Sequence, residues 1–181
     1  MRLLIGTFRR EFSAFPFTSI QVNKGFACRP HVDRNNSGPS ALVALGAYEG
    51  GELWVHDPEG GSSPCVIGPE EGQASAEYRV GVPYLGSVFD ARESWVIFDG
   101  RRLHRTLPFS GERFSLVFFC GPDPQKVPAL VRHGLFEAGF DYDWDEGALQ
   151  LVKESSSAPR GKKAQPGDLR QQEKGRTGQP R

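Results

Sequence analysis

Short apolar runs punctuated by turn residues fill the first two thirds of this chain. Phe17 to Asn23 reads as the first strand and Phe26 to Asp33 as the second. Ser40 to Tyr48 is apolar and β-leaning, and Glu49-Gly50-Gly51 predicts a turn into Glu52 to His56, closing a hairpin. Residues 57–79 are crowded with Gly, Pro, Ser and Glu, so 57–86 reads as a loop insertion. Val88 to Asp90, Ser94 to Phe98, Leu103 to Leu107 and Arg113 to Cys120 complete the series, with Asp99-Gly100 as a turn. Helical periodicity is scarce. Thr7 to Phe17 allows one short helix at most, and Val127 to Gly139 one closing helix. Many short strands without alternating helices predict an all-β-dominated fold. The expected form is a double-stranded β-helix of jelly-roll or cupin type with minor flanking helices.

Composition sets the limits of that domain. The chain has 181 residues, enough for one core. Its formal charge is zero but unevenly placed: eight basic and three acidic residues lie between Lys153 and Arg181, leaving 14 basic and 19 acidic before them. Every Phe, Trp and Tyr precedes residue 145. A tail without aromatics, rich in Gly, Pro, Ser, Gln and Lys, buries too little apolar surface to offset its ordering entropy. The reading is therefore a short flank at 1–16, a domain at 17–145 and a disordered basic tail at 152–181.

Cys28, Cys65 and Cys120 form an odd set without disulfide or zinc spacing, which predicts a reducing compartment. No segment is apolar enough for a signal peptide or a membrane span. An intracellular protein, nuclear or cytoplasmic, is expected. Oligomeric state is not legible in the sequence.

The chemistry concentrates in His31-Val32-Asp33, His104 and Arg113-Phe114-Ser115. Residues i and i+2 of an extended chain face the same way, so His31 and Asp33 converge. His104, on a distant strand, supplies a third ligand. Two histidines and a carboxylate leave three positions of an octahedron open on one side, the arrangement of non-haem Fe(II) oxygenases. Arg113 and Ser115 share a face at i and i+2. A guanidinium fork beside a hydroxyl suits the distal carboxylate of a small dicarboxylic acid. Arg113 is also placed to form a structural ion pair with Glu112 or Asp99.

With His-x-Asp, a distant His and a trailing basic residue, the chain resembles the Fe(II)/2-oxoglutarate-dependent dioxygenases. The resemblance implies Fe(II) on His31, Asp33 and His104, 2-oxoglutarate on Arg113 and Ser115, and O₂ as oxidant. Asn23 is a candidate for the other end of 2-oxoglutarate and equally a turn residue before Lys24-Gly25. Thr18 to Asn23, Pro30 to Ser40, Gly50-Gly51-Glu52-Leu53, Phe98 to Arg101 and Pro108 to Gly111 are similar to the TET/JBP branch of that superfamily. That branch oxidises the 5-methyl group of pyrimidines in nucleic acid. Its His-x-Asp-x-x-Asn motif maps onto His31, Asp33 and Asn36, which would make Asn36 a base-contacting residue and methylated DNA a partner. Arg101, with Arg102 and Arg105, flanks His104 and is placed to attract phosphate.

Two other readings stay open. The Gly-Gly-Glu-Leu and Arg-Phe-Ser-Leu signatures are shared with prolyl-hydroxylase-like enzymes acting on proteins or small molecules. A fragment or decayed domain that keeps the motif as a binding module, without turnover, is the other.

Overall fold

The strands divide between two sheets, and the chain crosses repeatedly from one to the other. In the computed structural model, which describes residues 2–72, 74–121 and 127–140, ten strands and two α-helices are formed: α1 (Arg2–Glu11), β1 (Ser19–Lys24), β2 (Ser40–Leu45), β3 (Tyr48–Gly50), β4 (Leu53–His56), β5 (Ser63–Val66), β6 (Pro83–Phe89), β7 (Val96–Phe98), β8 (His104–Thr106), β9 (Phe109–Gly111), β10 (Phe114–Phe119) and α2 (Ala129–Glu137). The expected disordered tail at 152–181 and the end of the expected domain lie outside the described residues.

One sheet runs β1-β10-β2-β7 and the other β5-β6-β4-β8, with β3 and β9 as a separate ribbon. Every ladder between named strands is antiparallel. Residues 28–33 lie beside β8, because Thr106 N–H donates to the Cys28 carbonyl and His31 and His104 form a bridge. The chain thus visits the two sheets alternately, reverses through the β4–β6 pairing, and returns in mirror order. This is a double-stranded β-helix. Leu42, Ala44, Leu53, Val55, Val96 and Phe98 fill the space between the sheets.

Three local expectations are corrected. Phe26 to Asp33 is not a strand; it carries only the isolated bridge at His31. Pro30 has no N–H to give to a ladder, and Gly25 turns the chain at φ 61° just before. Ser40 to His56 is not a hairpin, since β2 and β4 lie in different sheets. β2 is apolar and buried on both faces between β10 and β7, as a central strand must be. Gly50 and Gly51, at φ 75° and 76°, carry the chain across instead.

The third correction is to the segment read as a loop insertion. It contains β5, a 3₁₀ turn at Pro69–Glu71 and the start of β6. Its Cys65, Ile67 and Tyr78 pack with Trp54 and Leu103 into a cluster of their own.

The upstream helix starts and ends earlier than the sequence suggested. Ile5, Phe8 and Phe12 recur at helical spacing, and Phe8 is fully buried, its ring stacked on Phe118 of β10 at 4.1 Å. Phe12, Phe15, Phe17 and Trp95 surround it at 4.9–5.4 Å from the Phe8 ring. This aromatic layer backs the sheet that carries Ser115. No described helix is long and apolar enough to cross a membrane.

Candidate metal centre

His31 and His104 exchange both backbone hydrogen bonds, N–H to carbonyl at 3.0 Å each way. Such a pair puts both side chains on one face of the ladder. The two imidazole centroids are 4.2 Å apart and inclined at 51°. Asp33 completes the cluster, with Oδ1 3.5 Å from His31 Nε2 and Oδ2 3.8 Å from His104 Nε2. Ligand atoms from all three lie within 4.8 Å of one another. The sequence-based triad is brought together.

The histidines are locked in the same tautomer by the same device. His31 Nδ1 lies 2.8 Å from the Arg29 carbonyl and His104 Nδ1 2.8 Å from the Arg102 carbonyl. A carbonyl only accepts, so each Nδ1 carries the hydrogen and each Nε2 presents its lone pair toward Asp33. Metal-ligating histidines are oriented in this way. Burial, with the neighbouring His31 charge, pushes the His104 pKa down to about 4, so it is neutral at pH 7. Burial opposes charge on His31 too, but hydrogen bonds to Asp33 and the Arg29 carbonyl prevail and raise its pKa. Asp33 is lowered: burial works against the carboxylate, and the His31 hydrogen bond and the two imidazoles outweigh it.

Asn36 donates from Nδ2 to Asp33 Oδ2 at 3.0 Å and to Ser40 Oγ at 3.3 Å. Asn36 thus fixes the carboxylate of the candidate ligand Asp33, and it also lines the cavity beside the triad. Gly100 closes the other side: its carbonyl accepts the Asp33 N–H at 2.8 Å, and a Cβ there would stand 2.7 Å from Asp33 Oδ2.

A cavity of about 110 Å³ opens against the triad and is also lined by Thr106, Asn23 and Ser115, but not by Arg113. Asn23 and Ser115 are register partners of β1 and β10, joined by a hydrogen bond from Asn23 Nδ2 to Ser115 Oγ at 3.2 Å. Asn23 is thus a strand residue, not a turn. Gln21, Phe26, Cys28 and Thr106 also line the cavity and were not singled out from the sequence. Gln21 was legible, standing two positions before Asn23 on the same strand face.

Arg113 lies buried beside Ser115, at 2% and 4% exposure. Its guanidinium packs 5.5 Å from the rings of both Tyr48 and Phe109. Arg113 Nε has no hydrogen-bond partner, and among the described residues the side chain makes no ion pair. Arg9 and Arg105, by contrast, are engaged through Nη1: Arg9 donates to the Phe15 carbonyl at 2.8 Å, and Arg105 lies 3.7 Å from Glu71 Oε1. Lys24, not Arg113, takes Glu112 at 3.1 Å. Arg101 takes Asp99 at 3.1 Å and lies outside the cavity lining, while Arg102 and Arg105 reach the His56 carbonyl and Glu71.

His56 ends β4 and points away from the triad, its Nδ1 2.9 Å from the Tyr78 hydroxyl. His133 is an exposed residue of α2.

No protein-family model matches this chain, and no curated protein is similar to it at a significant level. Among solved structures, an oxalate oxidase in complex with the substrate analogue glycolate shares 13% identity, with a TM-score of 0.28. The match covers 76% of this chain and 63% of that one, so the chain spans less than two thirds of that enzyme. So distant a likeness adds nothing to the site. The donor set itself does: two imidazoles and a carboxylate, with no thiolate, form a possible metal-binding group on one wall of an open cavity.

Proposed function

We propose that this chain is an Fe(II)- and 2-oxoglutarate-dependent dioxygenase that hydroxylates a C–H bond. The observation that carries the reading is a two-histidine, one-carboxylate group on the wall of a cavity that also reaches Ser115, with Arg113, a buried cation that makes no ion pair among the described residues, two positions before Ser115 in the chain. Burying an unpaired guanidinium is expensive, and its retention is explained by an anion that arrives from solution. Gly51 strengthens the point. A Cβ there would press on Arg113 Cδ and Nε at 3.0 Å, so the glycine preserves the guanidinium's space.

The donor set fits iron. His31 Nε2, His104 Nε2 and one Asp33 oxygen would hold it, leaving the cavity side open for a cosubstrate. When bound, iron supplies the redox chemistry: O₂ and 2-oxoglutarate become succinate and CO₂ while one oxygen atom enters the substrate C–H bond. The protein's part is geometric and electrostatic. His104 is already neutral and gives up no proton on binding metal. Asn36 and Gly100 fix the Asp33 carboxylate, and Arg113 with Ser115 receives the far carboxylate of the cosubstrate. Leu42, Leu53 and Phe98 line the same cavity and limit water.

Asn36 is tied to Asp33 and Arg101 to Asp99, so neither favours nucleic acid over protein as substrate. The test is succinate formation from 2-oxoglutarate with Fe(II) in air, alone and with 5-methylcytosine duplexes or proline-rich peptides. Succinate that rises with one substrate class supports the reaction and assigns the class. A folded chain that binds neither Fe(II) nor 2-oxoglutarate rejects it.

A further inference from the structure

Strand alternation has a consequence on the far side of the metal centre. Where His31, Asp33 and His104 turn inward, their sequence neighbours Val32 and Leu103 turn outward. Both outward side chains enter one cluster, whose floor is Trp54 of β4 and whose cover is Cys65, Ile67 and Tyr78 from the 57–86 segment. Ile67 and Leu103 are fully buried in it. Polar contacts run along the same seam. Arg29, two residues before His31, donates to the Glu70 carbonyl at 3.3 Å. Arg105, one residue after His104, reaches Glu71 Oε1 at 3.7 Å.

We propose that the 57–86 segment is a brace for the metal centre, and that Ile67 and Tyr78 are positioning residues acting through Leu103 and Val32. This rests on the metal centre described above. The ligand-bearing segment 28–33 is not held by a full ladder, since Pro30 lacks the N–H one would need. It is gripped between the His31–His104 bridge on its barrel side and the Ile67–Tyr78 cluster behind. Loosening the rear contact lets Val32 and Leu103 shift, and the three ligand atoms lose their common focus. Contacts outside the ligands themselves can in this way set how well the ligands are held for metal.

The test is a Co(II) titration of the full chain, read both as affinity and as the visible d–d spectrum. Ile67→Ala is expected to weaken Co(II) about tenfold and alter the spectrum, with Ile67→Val recovering most of both. Phe12→Leu, in the aromatic layer behind the other sheet, is the control: it is expected to lower the metal-free melting temperature yet bind Co(II) as wild type does. Should Ile67→Ala not fold, Tyr78→Leu makes the same comparison within the same cluster. Cluster variants that bind Co(II) within about twofold of wild type overturn the brace, as does equal weakening by Phe12→Leu. A wild-type chain that binds no Co(II) removes the metal centre itself, which is a separate failure.

Discussion

The His31 and His104 backbones face each other as a doubly hydrogen-bonded pair, 3.0 Å in each direction, although they stand 73 positions apart in the sequence. The candidate metal centre is therefore fixed by a single bridge between the 28–33 segment and β8. Asp33 follows two positions later on the same side, and its backbone N–H is held by Gly100 at 2.8 Å.

Glycine at position 100 is a requirement of that geometry. A Cβ would stand 2.7 Å from Asp33 Oδ2 and 3.2 Å from both Asn36 Nδ2 and Ser40 Oγ. Gly100→Ala should displace the carboxylate and weaken Fe(II) or Co(II) about tenfold or more while the fold is retained. Asn36→Ala should weaken metal by a similar factor, because Asp33 Oδ2 loses its donor. Metal titration with circular dichroism of the same samples checks both.

Arg113 separates stability from function. Arg113→Met removes a buried charge that makes no ion pair among the described residues, so the metal-free chain should be as stable as wild type or up to about 2 kcal/mol more stable. The same variant should bind 2-oxoglutarate about a hundredfold more weakly with Fe(II) affinity unchanged. Urea melts and anaerobic calorimetry give the two readouts. Marked destabilisation by Arg113→Met would make the arginine structural.

Acid should weaken the metal-free fold, and the sign follows from His104. Its folded pKa of about 4 lies below the ordinary 6.5, so the unfolded chain takes the proton more readily. The stability this represents is present above pH 6.5 and lost as pH falls toward 4, roughly 3 kcal/mol in all. His31 runs the other way: with its folded pKa raised, its contribution is full below pH 6.5 and lost as pH rises through the folded value. His104 dominates because it is nearly fully buried. Urea midpoints at pH 7.5, 5.5 and 4.5 in a chelator should fall steadily, and His104→Leu should flatten that slope.

The aromatic layer is where the fold itself is most exposed to mutation. Phe8 is fully buried and stacked on Phe118, with four further aromatic rings around it. Phe8→Ala should lower unfolding free energy by about 3–5 kcal/mol, measured by denaturant titration. Metal affinity of the fraction that remains folded should hardly change.

Much of this was legible in the sequence because the signals were local. The i, i+2 spacing of His31 and Asp33 predicted their convergence, and they do meet at His104 although the segment that carries them is not a strand. The double-stranded β-helix followed from short apolar runs without helices between them. What failed depended on pairing. Nothing local told that Ser40–Leu45 and Leu53–His56 belong to different sheets, since a Gly-Gly turn serves a hairpin and a crossing equally well. The structure in the described part of 57–86 was hidden by its Gly and Pro content; it comes from Ile67, Cys65 and Tyr78 packing in one cluster with Leu103, a contact between distant positions. The hydrogen bond from Asn36 to Asp33, three residues away, was not read from the sequence, where Asn36 was assigned a role only by resemblance.

The central claim is the cofactor pair, and one measurement addresses it directly: an anaerobic titration of the purified chain with Fe(II) and then 2-oxoglutarate, followed by visible absorption. A metal-to-ligand charge-transfer band should appear only with both components. The band should be absent in His31→Ala and should need about a hundredfold more 2-oxoglutarate in Arg113→Met. A folded chain that shows no band, or a band untouched by either substitution, contradicts the claim.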